Sequence, residues 1–396
     1  MIDIKGQVRV VFHISDWKVE GGHWVNVIDP NFKDFLSFEQ LLTFTIIEEA
    51  GNVLPTFRLE MKLIEEEIIK RFNEGCVLTM SYGRDDQHMK TSYLRIMRMD
   101  TYPVGNIERA VMLRGFVDAM GWLNTTHCDY YPNMTAIEVI QATAGQFFRV
   151  DTNGLVSQDR MTWIQPNTSF KRFINEVWMH MNLPNDVPLV AITMDKRFIV
   201  KGINQLEKVD WYLTYGDLMN KENYIPYQGG YSLEARSGFF NSWFGYGRRK
   251  KVFEWESGNT QFYEEDAKVF LAQAKSLNRQ ANIKPRYDNA SFINDNVHPE
   301  YWNAFLKNMA YLVSGSNVKL SCRVVDYYFD VTVLDSVLFL DSIQGVGKDQ
   351  TKYQAQQFVS GRYVVSKVVR NISNKQYSMM LELSKETVNE ERGDLR

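Results

Sequence analysis

Six histidines are the first residues to test for chemistry: His13, His23, His88, His127, His180 and His298. No two of them have the HxH or HExxH spacing that brings a pair of imidazoles onto one metal ion. His13 falls in a strand pattern and His180 late in a helical one, so each reads as a satisfied or exposed histidine. His127 and Cys128 are adjacent, but neighbours on an extended chain point to opposite faces, which separates a thiol from its would-be base. The three cysteines, Cys76, Cys128 and Cys322, are odd in number and far apart, so they fit neither a disulfide framework nor a metal knuckle and read as ordinary buried thiols.

Phosphate and acid chemistry fail on spacing too. Gly345-Val346-Gly347-Lys348-Asp349 resembles a phosphate loop, yet Ser342 stands where the leading glycine belongs and Asp349 where a hydroxyl is needed. A loop between strands explains it. Glu65, Glu66 and Glu67 open a helical pattern, where negative charge suits the helix dipole. There is no GxGxxG after a strand and no GxSxG elbow. No catalytic residue, cofactor site or metal site is assigned, and the chain reads as a non-enzyme.

One segment is chemically unusual. Phe239, Phe240, Trp243, Phe244 and Tyr246 stand in a glycine-rich stretch directly before Arg248, Arg249, Lys250 and Lys251. Aromatics beside cations can stack bases and grip phosphates, but the nearby Glu254, Glu256, Glu264, Glu265 and Asp266 equally suit a salt-bridged contact. Five large rings in a loop form an aggregation hazard unless buried, so all nine residues are candidates for a subunit or partner interface. The alternative is that the rings fold back onto their own domain.

The elements that must position these residues belong to a multidomain chain, since 396 residues exceed what one core supports. With 45 Lys+Arg against 48 Asp+Glu the net charge is −3, which argues against generic nucleic-acid affinity. No stretch longer than eleven residues lacks a charge, so no membrane-spanning helix is expected. The amino terminus lacks the pattern of a secretory signal, and folding in a cytosol is expected.

From residue 7 to 117 the period is two, in runs 7–14, 41–48, 56–63, 76–82, 92–99 and 110–117, with one helix at 64–75. A capping box, Thr135 with Glu138, starts a helix ending near Gly145. A second helix follows Asn167-Thr168-Ser169, with Phe170, Phe173, Ile174, Val177, Trp178 and Met181 on one face. Strand chemistry returns at 189–203 and 208–217, a projecting loop or hairpin is expected over 226–258, and helices over 263–281 and 299–314. The chain closes with strands at 318–325, 337–343, 362–369 and 377–384 before a charged tail, 385–396, expected to fray.

The fold class is therefore mainly β with α+β parts. Residues 1–121 form a first antiparallel barrel and 122–206 an α+β middle domain. Residues 207–235 with 310–386 form a second barrel, interrupted by the aromatic, basic and helical insertion 236–309, and 387–396 remain as the tail. The two β-domains suggest a pseudo-duplication.

The stretch LLTFTIIEEAGNVLPTFRLEMKL, with CVLTMSYGRDD, TSYLRIMRM and ERAVMLRGFVD, resembles the first tube-like barrel of tail hub proteins from contractile-tailed phages and related injection machines. Glu48 to Leu63 carries most of the likeness. VTVLDSVLFLDS and SGRYVVSKVVRNISNKQYSMMLELSKE are similar to the closing strands of the second barrel of such hubs, and TAIEVIQ and TSFKRFINEVWMHMNL to the helices of the domain between them.

The resemblance implies a homotrimer whose six barrels adapt a hexameric tail tube above to a trimeric central spike below. It also implies a passage for tape measure and DNA, contacts with neighbouring baseplate proteins, no cofactor, and a place in the virion after assembly in host cytoplasm. The loop at 236–251 departs from the hub pattern. A carbohydrate-binding or cell-wall hydrolase component of a tail, and a nucleic-acid binder using the basic run, are the competing readings.

Overall fold

The computed structural model describes residues 2–4, 8–20, 23–32, 36–37, 39–62, 66–73, 76–83, 89–104, 108–215, 223–235, 247–254, 258–265, 268–271, 286–293, 297–324, 330–343, 354–355, 359–373 and 376–387. The molecule is mainly β, and its largest sheet runs through both β-regions. In the first region six strands lie side by side in the order Val8–Glu20, Val77–Gly83, Lys90–Val104, Glu108–Val117, Thr56–Lys62, Leu41–Glu49. In the second, Trp211–Tyr215, Ser336–Leu340, Gly361–Ser373, Gln376–Lys385, Val318–Val324 and Tyr224–Ala235 follow one another, and the last pairs with the first. That closes a six-stranded barrel and removes its edges.

Numbering each set of six in chain order gives the same spatial order, 1-4-5-6-3-2, in both. Two differences matter. In the second set strand 1 runs parallel to both neighbours, whereas in the first it is antiparallel to strand 4. Among the described residues the first set also lacks the pairing of strands 1 and 2. Its strand 2, Leu41–Glu49, pairs instead with Lys367–Ser373 of the second barrel, which makes the two regions one sheet. The hairpin 361–385 completes the first core from outside: Ile372 lies buried among Phe12, Phe44 and Ile46, and Tyr377 packs against both cores.

Alternation explains the strands. Along Leu41–Glu49 the buried positions are 41, 44, 46 and 48, and along Gly361–Ser373 they include 368, 370 and 372. At Gly115 two backbones approach so closely that a Cβ would lie 1.9 Å from the Arg95 carbonyl oxygen, beside an irregularity in the pairing of Lys90–Val104. Gly115→Ala is therefore expected to cost about 1–3 kcal/mol through overpacking, read as a lowered Tm in thermal denaturation.

Between the β-regions, helices Ala136–Ala144 and Phe170–Met179 pack on a small sheet of Arg149–Asp151, Arg197–Gly202 and Pro188–Ile192. The expected capping box is present: Thr135 Oγ1 accepts from the Glu138 N–H, and Glu138 accepts from the Thr135 N–H at 2.7 Å. The apolar face Phe170, Phe173, Ile174, Val177, Trp178 is buried, with Trp122 among Phe148, Phe170 and Phe198. A ribbon of Thr126–Met134 and Met161–Ser169, absent from the sequence reading, stands on this core.

Three further readings are corrected. Of 226–258, expected as a projecting loop or hairpin, Tyr224–Ala235 is instead a strand of the second barrel, while Arg248–Glu254 pairs antiparallel with Thr260–Glu265 as the middle strand of a three-stranded sheet. The expected helix at 263–281 begins instead as strand Thr260–Glu265, because Glu264 and Glu265 stand opposite Arg249 and Arg248 and cross-strand charge pairing favours that register. Residues 266–267 and 272–281 lie outside the described residues. The tail does not fray from its start: Lys385, Glu386 and Thr387 are buried, and Glu386 accepts the N–H groups of Phe270 and Leu271 at 3.0 and 3.1 Å. Among the described residues no helix is long and apolar enough to cross a membrane.

Candidate functional site

Period two splits the basic run. Arg248 and Lys250 point inward from strand Arg248–Glu254 and are buried, while Arg249 and Lys251 point outward. The Lys250 ammonium sits 4.3 Å from the ring centre of Trp302 and 4.6 Å from that of Phe305, both on helix Tyr301–Ser314. Cation–π attraction of this kind is worth most when desolvated. On the outer face Arg249 pairs with Glu264 at 3.3 Å, and both Arg249 and Lys251 flank the ring of Phe262, which is 54% exposed. Four consecutive charges thus divide between a structural clamp and an exposed patch, and do not form one phosphate-gripping face. Phe239, Phe240, Trp243, Phe244 and Tyr246 lie outside the described residues, as does the Gly345–Asp349 loop.

The clamp joins a histidine cluster that spacing could not have found. His298 Nε2 donates to the His180 carbonyl at 3.2 Å, and the His180 ring stacks on Tyr301 at 3.8 Å and on Phe305 at 4.8 Å. His180 Nδ1 donates to the Glu176 carbonyl at 2.9 Å, capping helix Phe170–Met179. Burial, reinforced by the Lys250 charge, pushes the His180 pKa down to about 3, and burial also lowers that of His298. The His180 ring is stacked into this aromatic packing while the His298 ring meets Tyr301 edge-on, and burial makes both weaker bases than an ordinary imidazole. The His127 ring lies 4.3 Å from that of Phe170, tilted by 36°. Cys128 is exposed, contrary to the buried-thiol reading, because it sits on the outward side of the Thr126–Met134 ribbon; Cys76 and Cys322 are buried, and burial pushes each thiol up to about 12.

The clefts are lined by paired charges. One of about 430 Å³ between Trp178, Leu189, Tyr311, Leu312 and the second barrel carries Lys319–Glu382 at 2.6 Å and Lys367–Glu49 at 2.7 Å. Another, of about 580 Å³, carries Lys90–Asp330 at 3.3 Å and Arg197–Asp195 at 2.8 Å. Burial raises the Asp335 carboxyl in this cleft, where it accepts from Trp211 Nε1 at 2.9 Å and from the Thr332 N–H. No group of three or more His, Cys, Asp or Glu that could hold a metal occurs among the described residues.

The most demanding charge lies where three regions meet. Glu48 of the first sheet is ion-paired with Arg370 of the second barrel, and both side chains are buried. Glu48 also accepts the N–H of Met194 from the middle domain at 2.8 Å, and Arg370 donates to the Val331 carbonyl at 2.6 Å. Burial opposes the guanidinium charge, yet the adjoining Glu48 carboxylate holds the Arg370 pKa above its ordinary value. A sequence signal existed: Glu48 continues the inward series Phe44, Ile46, and Arg370 stands between Val368 and Ile372 on the inward side.

No protein-family model and no curated protein sequence matches the chain. Among solved structures that are similar over nearly its whole length, two are tail proteins covered almost entirely in turn. One is the tail protein from Neisseria meningitidis MC58, with 10% identity, coverage of 96% of this chain and 97% of that one, and a TM-score of 0.57. The other is the 43 kDa tail protein of prophage MuSo2 from Shewanella oneidensis, with 10% identity, coverage of 96% and 98%, and a TM-score of 0.58. The chain thus shares the fold of these two tail proteins over 96% of its length.

Proposed function

We propose that this protein is a structural virion component, a baseplate hub that assembles as a homotrimer between a hexameric tail tube and a trimeric central spike. The likeness in fold, over 96% of the chain, to two tail proteins, one of them from a prophage, carries the reading. The repeated strand order 1-4-5-6-3-2 supplies the mechanical logic, since three chains with two related β-units each present six units to a six-fold tube and three chains to a three-fold spike. The buried Glu48–Arg370 pair ties the two units of one chain together, as such an adaptor needs.

In this reading the ring encloses the passage for tape measure and DNA, neighbouring baseplate proteins contact its outer surface, and the chain performs no catalysis. Phe239, Phe240, Trp243, Phe244 and Tyr246, which lie outside the described residues, are the candidates for contact with a subunit or the spike, with the outward Arg249 and Lys251 at the rim steering an acidic partner.

Light scattering on the purified protein is expected to give the mass of a trimer, and averaged electron micrographs a three-fold ring with six lobes. A protein that remains monomeric at high concentration overturns the proposal.

A further inference from the structure

The cleft of about 580 Å³ lies where three regions of the chain meet: Lys90 reaches it from the first sheet, Arg149 and Arg197 from the middle domain, and Lys208, Asn223 and Asp330 from the second β-region and the link before it. Its volume falls in the range of about 300–1,000 Å³ usual for ligand clefts, which favour such junctions. What it binds is set by the charges on its wall that have no partner.

Four aspartates and four basic side chains line it. Every aspartate has donors of its own. Asp195 pairs with Arg197 at 2.8 Å and Asp330 with Lys90 at 3.3 Å. Asp210 accepts the Ser336 N–H at 2.8 Å and Lys201 Nζ at 3.3 Å, and Asp335 accepts from Trp211 and Thr332.

Arg149 and Lys208 are left over. Both are exposed, and neither makes an ion pair or a side-chain hydrogen bond with any described residue. The exposed side-chain amide of Asn223 is equally unbonded among them. The cleft of about 430 Å³ differs, since its two lysines are each matched there by a glutamate. Arg149 also begins the strand Arg149–Asp151, which pairs on one side only among the described residues. A strand edge of that kind offers backbone hydrogen bonds to an extended chain.

The unspent chemistry is therefore cationic, on a wall that also carries aspartates. A nucleic-acid strand has a charge on every phosphate and meets those aspartates as well as the cations. A polypeptide spaces its carboxylates between neutral residues and brings N–H donors for the aspartates, so it suits the mixed wall.

We propose that this cleft binds an acidic, extended segment of another protein, whose carboxylates sit on Arg149 and Lys208 with the Asn223 amide donating beside them. Bound there, the segment touches all three regions and holds their arrangement. The inference is independent of the trimeric reading above.

The probe is a dye-labelled peptide of alternating glutamate and serine, followed by fluorescence anisotropy on the full chain. It is expected to bind, to weaken as salt is raised, and to bind about tenfold more weakly to Arg149→Glu with Lys208→Glu. Arg149→Gln with Lys208→Gln, which removes the charges without adding new ones, is expected to weaken binding in the same direction. Arg249→Glu with Lys251→Glu, which reverses the outward pair of the other patch, is expected to leave it unchanged. Far-UV circular dichroism checks that each variant is folded.

A full chain that does not bind the peptide, or a loss shared equally by the Arg249 and Lys251 variant, overturns the proposal. So does a single-stranded oligonucleotide bound more tightly than the peptide through the same two residues. A monomeric protein that binds the peptide overturns the hub reading and leaves this inference standing.

Discussion

Replacing Arg370 by methionine is expected to cost about 3–5 kcal/mol, the range for breaking one half of a buried ion pair. The reason is local: Glu48 would keep its bond from the Met194 N–H but lose its countercharge in a site closed to water, and the Val331 carbonyl would lose its donor. Native domains hold only about 5–15 kcal/mol in total, so the variant is expected to unfold at markedly lower urea concentration. Pairing Arg370→Met with Glu48→Leu is expected to recover much of the loss, because two apolar side chains remove both charges at once. A double variant no more stable than the single one would show that the junction depends on its hydrogen bonds to Met194 and Val331, not on charge cancellation.

The second large effect is on pH. His180 titrates near 6.5 when unfolded, but in the folded chain burial holds its pKa down to about 3. Between these values the unfolded chain binds a proton that the folded chain refuses. Stability is therefore complete above pH 6.5 and falls as the pH is lowered through this window, by up to about 1.4 kcal/mol per pH unit.

His298 contributes in the same direction, and an ammonium already in place, that of Lys250, adds repulsion to any protonated His180. Glu176, whose carboxyl is raised by burial, works in the opposite sense near its own pKa. Chemical denaturation at pH 7 and pH 5 measures the sum. His180→Phe, which keeps a ring against Tyr301 and Phe305, is expected to flatten the slope between these two values. An unchanged slope would place the titration elsewhere.

Much of the local structure was legible in the residues. The two-residue period identified strands in both β-regions because each has one wet and one dry face, and alternation records burial directly. Thr135 with Glu138 marked a helix start because the capping box is a local exchange of hydrogen bonds within four residues. The apolar stripe from Phe170 to Trp178 likewise carried its own geometry.

Charged residues misled wherever their partner lay far along the chain. Glu264 and Glu265 continued a helical pattern on their own and became strand only because Arg248 and Arg249 lie beside them. Lys385 and Glu386 looked like the start of a solvated tail, yet one lies over the Tyr363 ring and the other accepts two backbone N–H groups near Leu271. Arg248 to Lys251 looked like a single basic surface until the strand turned half of it inward.

What the sequence determined by itself is the set of elements and the faces they bury, since propensity, capping and periodicity act within a few residues. Only the tertiary structure decided that the strand Leu41–Glu49 pairs with 367–373 of the second barrel and, among the described residues, not with Val8–Glu20. The same holds for the meeting of Glu48 with Arg370 and of His180 with His298. Pairings across 118 to 322 residues depend on how whole sheets pack, and burial, which sets both the charge state of His180 and the cost of losing Arg370, is a property of that packing.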